Sequence, residues 1–212
     1  MTLLKRAEVP EKLQQFFSEH LRIALAYSGG CDSVYLLACA VACGIEVKPY
    51  LVHSAFQYAF EQDDALLAAE QIGVAFQTIP VDIFAHDEVI ANTEQRCYYC
   101  KRVIFSAILQ QAANDGFTEL MDGTNATDDP ANRPGFKALA ELKVFSPLRM
   151  AGLTKEEIRA LSRSAGLLTA DKPNYSCLAT RVPVNQRITP EILGEFSQDD
   201  WRERTLSRKL NV

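Results

Sequence analysis

The segment Leu21-Arg22-Ile23-Ala24-Leu25-Ala26-Tyr27-Ser28-Gly29-Gly30-Cys31-Asp32-Ser33-Val34 changes character twice. Leu21 to Tyr27 is a short apolar run of strand-compatible residues that stops at Ser28-Gly29-Gly30, so a buried strand should run into a tight turn. Beyond the glycines, Ser33 to Cys43 is almost wholly apolar at helical length. Gly44 stands where a left-handed C-terminal residue belongs, so this run reads as a buried helix. A glycine turn between a strand and a helix N-terminus brings free backbone amides to one point, and that is a cradle for phosphate. The segment is not the Gly-Lys-Ser/Thr pattern of Walker loops, nor the Gly-x-Gly-x-x-Gly of dinucleotide binders.

The alternation continues outward. Ile45 to Val52 reads as a second strand, with Pro49 a discordant note because proline favours strand edges. Phe60 to Ile72 reads as an amphipathic helix closed by Gly73, and Val74 to Val81 as a third strand. A helix from about Arg96 to Ala113, an apolar segment around Leu120 and a helix from Lys155 to Ala165 follow. Strands separated by helices imply right-handed crossovers, so the expected fold is α/β, doubly wound around a mostly parallel sheet. Its ligands should bind at the carboxyl ends of the strands. From Leu167 the text becomes loop-like, which divides the chain into residues 1–166, a cysteine-bearing segment 167–196 and a tail 197–212.

The chain has 212 residues, 48% of them hydrophobic and 23% charged, enough to bury a sizeable core. A formal charge of −5 argues against a broad basic field, so nucleic acid is not the expected partner. The longest uncharged apolar run, Val34 to Ile45, is about twelve residues, short of the roughly twenty that span a bilayer. The first residues mix charges with apolar side chains and do not read as a secretory signal, so a cytoplasmic address is expected. The six cysteines then read as reduced or metal-bound thiols.

Cys97-Tyr98-Tyr99-Cys100 puts two thiols one helical turn apart, spacing that suits a metal or cluster. A thioredoxin-like redox pair competes, but the place of that motif after the first strand is taken by the phosphate loop. Cys177 stands alone downstream, giving three thiols rather than the four of a structural zinc site. Three thiolates suit a [4Fe-4S] cluster with one iron left open. Cys39 and Cys43 lie in the apolar helix and read as small hydrophobes, and Cys31 as a small residue under the turn. Lys101, Arg133 and Arg181 are candidates for gripping phosphates or substrate, because arginine presents a bidentate fork and lysine a mobile charge. Of these, Arg181 lies four residues beyond Cys177. Asp128-Asp129 reads equally as a Mg²⁺ aid or as a solvated loop.

Ser28-Gly29-Gly30-Cys31-Asp32-Ser33 resembles the SGGxDS loop of the N-type ATP pyrophosphatases, or PP-loop enzymes, which bind ATP and release pyrophosphate on adenylating a substrate. RCYYCK at 96–101, DGTNATDD at 122–129, RPG at 133–135, SPL at 146–148, GLTK at 152–155 and SCLATR at 176–181 follow in order. Together they resemble the LarE family, the ATP-dependent sulfur transferases of nickel-pincer cofactor biosynthesis, over about residues 10 to 190. The resemblance implies that ATP adenylates a carboxylate of a pyridinium dicarboxylate mononucleotide and that sulfur then displaces AMP. It implies ATP, Mg²⁺ and a [4Fe-4S] cluster as cofactors, with Cys97, Cys100 and Cys177 as cluster ligands and Asp32 at Mg²⁺. Ser28, Gly29, Gly30 and Ser33 would hold the terminal phosphates, His53 and Ser54 would contact adenine through the backbone, and Gly123 and Thr124 would lie beside the nucleotide. The catalytic set would be Cys177, Asp32, Arg181 and Lys101, with Arg133 and Arg181 binding substrate. Some members sacrifice the sulfur of one cysteine, matching Cys177, whereas those with the Cys-x-x-Cys pair deliver an added sulfide.

The expected partner is a nucleotide-like small molecule and the expected assembly a homo-oligomer. The family's small C-terminal domain is not resembled by the tail Asp199-Asp200-Trp201-Arg202-Glu203-Arg204. Competing readings are a tRNA thiolase, an ATP-dependent amidotransferase synthetase subunit, or a non-catalytic nucleotide or iron-sulfur binder. The negative charge weighs against the first, and three otherwise idle cysteines against the second.

Overall fold

A computed structural model describes residues 3–129 and 134–197. Arg133 and all but the first residue of the 197–212 tail lie outside the described residues. Four parallel strands, β1 Arg22–Ala26, β2 Glu46–His53, β3 Gln77–Pro80 and β4 Leu120–Asp122, form one sheet in the order β3-β2-β1-β4. The order reverses between β1 and β4, and the two chain segments leaving these strands diverge to open a crevice there.

Side chains alternate across the sheet as the pleat demands. Ile23, Leu25, Leu51 and Met121 face a core shared with helices α1 Glu11–Glu19, α2 Cys31–Cys43 and α8 Lys155–Ser164. Ala24, Tyr50, Val52 and Leu120 face a second core beneath helix α5 Arg96–Asn114 and helix α6 Gly135–Glu141. Both faces are therefore covered, which is why these strands read as continuous apolar runs. Helix α2 is buried along most of its length and ends at Gly44 with φ 75°; helix α3, Ala59–Ile72, ends likewise at Gly73 with φ 81°.

Two boundaries depart from expectation. Helix α2 starts at Cys31 rather than Ser33, so the second half of the phosphate loop, Cys31 to Ser33, is the helix's first turn. Strand β3 starts at Gln77 rather than Val74, and the reason lies in β2. Pro49 is opposite Leu25 in an interior strand, and β3 begins pairing one residue later, at Tyr50 opposite Gln77. Glu46 bonds β1 through its N–H and His53 bonds the β3 side through its carbonyl, so alternation turns Pro49 toward β3. Proline has no N–H to give there, and the missing donor coincides with the late start.

A third apolar cluster joins Ile83, Val89 and Ile90 to Leu178, Ala179, Val182, Ile188 and Leu193, with Cys100 and Cys177 packed against it. It fastens the cysteine-bearing segment to the first turns of α5. Among the described residues, no helix is long and apolar enough to cross a membrane.

Candidate active site

The crevice at the carboxyl ends of β1 and β4 is a cavity of about 810 Å³. Its walls include Ser28, Gly30, Asp32 and Ser33 of the loop, Gly123 and Thr124 after β4, and Cys97 and Lys101 on α5.

The loop is held tightly from below. Gly29 has φ 66°, and a Cβ there would fall 2.5 Å from the Cβ of Ala65 on α3, so only glycine fits. Ser33 Oγ donates to the Gly30 carbonyl at 3.2 Å and accepts from the Ser28 amide at 3.2 Å, and the two serine hydroxyls are 3.1 Å apart. Cys31 is buried with its Sγ 3.5 Å from Ser162 Oγ, which packs the turn onto α8, and burial raises its thiol pKa. Gly123 closes the opposite wall: a Cβ there would lie 2.9 Å from the Ser33 amide nitrogen.

Asp32 projects from the first turn of α2. Its Oδ2 accepts from Lys155 Nζ at 2.8 Å and from Asn125 Nδ2 at 3.3 Å. Its Oδ1 is buried and, among the described residues, has no hydrogen-bond partner. A carboxylate oxygen left uncompensated beside a phosphate cradle is the donor that a hard divalent cation takes, so the residues present fit Mg²⁺. Asp122 accepts from the Thr124 amide at 3.2 Å and from Ser146 Oγ at 2.7 Å, fixing the turn after β4. Asp128 is engaged within its own loop, its Oδ2 accepting from the Asn125 amide at 3.0 Å.

The three expected cysteines share one neighbourhood. Cys97 is exposed and lines the cavity; Cys100 and Cys177 are half-buried behind it, with Ser176 and Thr180 on the wall either side of Cys177. Burial pushes the Cys100 thiol up to about 12, and the neighbouring Cys177 and Cys97 push in the same direction. Cys177 is likewise raised, by burial first and then by Cys97, against the lowering effect of Arg96. Among the described residues no three His, Cys, Asp or Glu side chains are grouped tightly enough around a point to hold a single metal ion.

Other expected residues stand apart from the cavity. His53 ends β2 exposed, and the amide of Ser54 is taken by Gln57 Oε1 at 2.9 Å; neither lines the cavity. Arg181 is exposed, its guanidinium 6.0 Å from the ring centre of Tyr58, and it is not among the residues lining the cavity. Lys155 and Lys172 went unassigned in the sequence, yet both line the site. Lys155 sits in a motif segment already noted, GLTK, whereas nothing local to Lys172 marks it.

A parallel sheet with order 3-2-1-4 and a glycine loop leading into α2 at the switch point defines a PP-loop domain. The NH3-dependent NAD synthetase of Campylobacter jejuni has the same fold, with a TM-score of 0.58 over 82% of this chain and 80% of that one, at 20% identity. No protein-family model matches the chain. An uncharacterized Synechocystis protein is 35% identical over 92% of this chain and 74% of its own length. The pyridinium-3,5-bisthiocarboxylic acid mononucleotide synthase of Lactiplantibacillus plantarum is 30% identical over 87% of this chain and 68% of its own length. The chain belongs to the family of that synthase, the LarE family. More distantly, the tRNA-specific 2-thiouridylase of Frankia alni is 29% identical over 73% of this chain and 54% of its own length.

Proposed function

We propose that the chain is an ATP-dependent sulfur transferase that adenylates a carboxylate of a pyridinium dicarboxylate mononucleotide and replaces its oxygen with sulfur. The observation that carries this reading is that one cavity is lined both by the phosphate cradle and by the exposed thiol of Cys97. Activation and sulfur delivery therefore have access to the same bound carboxylate.

The Ser28–Ser33 amides and hydroxyls receive the β- and γ-phosphates, with Asp32 Oδ1 at Mg²⁺ and Gly123 and Thr124 beside the nucleotide. A substrate carboxylate oxygen attacks the α-phosphorus; the new P–O bond forms as the bond to pyrophosphate breaks. The acyl adenylate exposes its carbonyl carbon to a sulfur nucleophile entering from the cysteine wall. The C–S bond forms, the C–O bond to AMP breaks, and AMP leaves with the electron pair. Lys101, 5.7 Å from the Phe105 ring centre on the same wall, meets the negative charge of substrate or AMP; Arg133 and Arg181 are further candidates for this task.

Cys97, Cys100 and Cys177 would hold a [4Fe-4S] cluster, whose three-thiolate ligation leaves one iron open to sulfide. What supports this reading is that Cys97 and Cys177 both raise the Cys100 thiol pKa while Arg96 and Lys101 lower it, which sets the three thiols and two cations in one neighbourhood. Residues 1–166 then form the pyrophosphatase domain and 167–196 the segment that carries Cys177 to it. A cytoplasmic homo-oligomer is the setting proposed for both.

The test incubates the anaerobically reconstituted protein with Mg-ATP, sulfide and the dicarboxylate mononucleotide. Expected products are AMP, pyrophosphate and a mononucleotide in which oxygen has been exchanged for sulfur. Release of ADP, or pyrophosphate release that ignores the acceptor, would overturn the proposal. Acceptor-dependent release with tRNA instead would move the chain to the thiolases.

A further inference from the structure

Arg96 and Asn92 form a clamp that neither phosphate binding nor the cysteines themselves require. Asn92 is fully buried with φ 54°, a left-handed conformation that asparagine tolerates better than most residues. Its Nδ2 faces the carbonyls of Val182 at 3.3 Å, Pro183 at 2.8 Å and Gln186 at 3.0 Å, and its own carbonyl accepts from the Asn185 amide at 2.9 Å. Its Oδ1 accepts from Arg96 Nη1 at 2.6 Å. The same Nη1 donates to the Ala179 carbonyl at 2.7 Å, and Nη2 lies 3.8 Å from Cys97 Sγ.

Arg96 is the first residue of α5, and Ala179 sits in the 3-10 turn Leu178–Arg181 that Cys177 caps. One guanidinium thus ties the turn bearing Cys177 to the helix start bearing Cys97 and Cys100. It does so from a half-buried position where a charged hydrogen bond is stronger than in water.

We propose that Arg96, oriented by Asn92, is the positioning residue that sets Cys177 against Cys97 and Cys100, so that it governs sulfur transfer and not adenylation. This rests on the sulfur-transfer reading given above. The geometry separates the two halves: Arg96 bonds the cysteine segment and does not line the cavity that the phosphate loop forms.

The test compares the wild-type chain with Arg96→Gln and Arg96→Lys by hydrogen-deuterium exchange of the metal-free protein and by separate assays of pyrophosphate release and sulfur transfer. In Arg96→Gln, amides of 177–182 should exchange at least tenfold faster while β1 and α2 amides are unchanged. Sulfur transfer should fall at least tenfold with pyrophosphate release and the KM for ATP within twofold. Arg96→Lys, which keeps the charge and one donor direction, should recover part of the transfer. Unchanged exchange at 177–182, or parallel loss of pyrophosphate release and transfer, would overturn the clamp. Should the wild type transfer no sulfur at all, the sulfur-transfer reading fails while the exchange experiment still decides whether Arg96 holds the segment. Should Arg96→Gln fail to fold, Arg96→Lys, which loses the planar two-nitrogen fork but keeps the charge, supplies the exchange comparison, and wild-type exchange at 177–182 in that variant would overturn the clamp.

Discussion

Lys172 Nζ lies 3.0 Å from Asp64 Oδ2 with the two side chains 3% and 1% exposed, and it also donates to the Gly29 carbonyl at 3.2 Å. The pair sits directly beneath the phosphate loop, so a lysine from the loop-like segment after α8 fixes a glycine of the loop after β1. Removing one partner strands a buried charge, which costs about 3–5 kcal/mol. Lys172→Met should therefore lower stability by about that amount in urea unfolding. The double variant Lys172→Met/Asp64→Leu should regain most of the stability and still bind ATP poorly, because the Gly29 carbonyl has lost its donor. Equal ATP affinity in the double variant and the wild type would show that Lys172 serves stability alone.

Gly123 and Ser33 meet more closely than any side chain allows. The Cβ of Gly123→Ala would stand 2.9 Å from the Ser33 amide nitrogen, and the obstacle is backbone rather than a movable side chain. The wall after β4 must move away from the loop, and it takes the nucleotide contact with it. ATP affinity measured by calorimetry should drop at least tenfold, or about 1.4 kcal/mol, in a protein that remains folded.

The thiols should separate by reactivity in metal-free protein. Cys97 is exposed, whereas Cys39 is fully buried and its pKa is raised by desolvation, and Cys100 is pushed up to about 12. Alkylation proceeds through the thiolate. With iodoacetamide at pH 8, peptide mass spectrometry should find Cys97 modified first and Cys39 and Cys100 protected until denaturant is added. Early modification of Cys100 would contradict the burial assigned to it.

The phosphate loop was legible because everything that makes it is local: the apolar run of β1, the glycines and the apolar α2 are contiguous. The alternation that makes both faces of the sheet buried was legible for the same reason. Lys155 and Lys172 were not, because each acts through a partner more than a hundred positions away, Asp32 and Asp64, and an isolated lysine reads as a surface charge. Spacing from Cys177 brings Arg181 to notice but is silent on direction, and the aromatic neighbour of its guanidinium, Tyr58, lies far off in sequence. The late start of β3 is not legible locally, because its determinant, Pro49, lies in the neighbouring strand. Arg96 stood inside a recognised motif, yet its task depends on the carbonyl of Ala179, which sequence cannot bring near.

Just past the end of α5, Asp115 Oδ2 accepts from Lys48 Nζ and Tyr50 Oη of β2, each at 2.7 Å, and from Gln111 Nε2 at 3.3 Å. These bonds, that of Lys48 foremost, hold the Asp115 carboxyl down at about 2, against 3.8 for an ordinary aspartate. A carboxyl depressed in the folded state stabilises the fold above its unfolded pKa and loses that contribution as pH falls through the folded value. Asp115→Asn should thus be less stable than wild type at pH 7. The difference should shrink as pH is lowered from about 4 toward 2, measured as unfolding free energies across that range. A constant difference would mean that the side chain's shape, and not its charge, is what matters.

Asp32 offers its two oxygens to different tasks. Oδ2 is occupied by Lys155 and Asn125, and the buried, unpartnered Oδ1 is the oxygen proposed for Mg²⁺. Asp32→Asn keeps the volume, removes the charge and turns an amide toward Lys155 and Asn125, both of which donate. The Mg²⁺ concentration for half-maximal pyrophosphate release should rise at least tenfold. Asn125→Ala deletes only the longer 3.3 Å bond to Oδ2 and leaves the charge in place, so the same titration should shift less than threefold. If the two variants shift the Mg²⁺ requirement equally, Asp32 acts by holding the turn after β4 against α2, and the cation has another ligand.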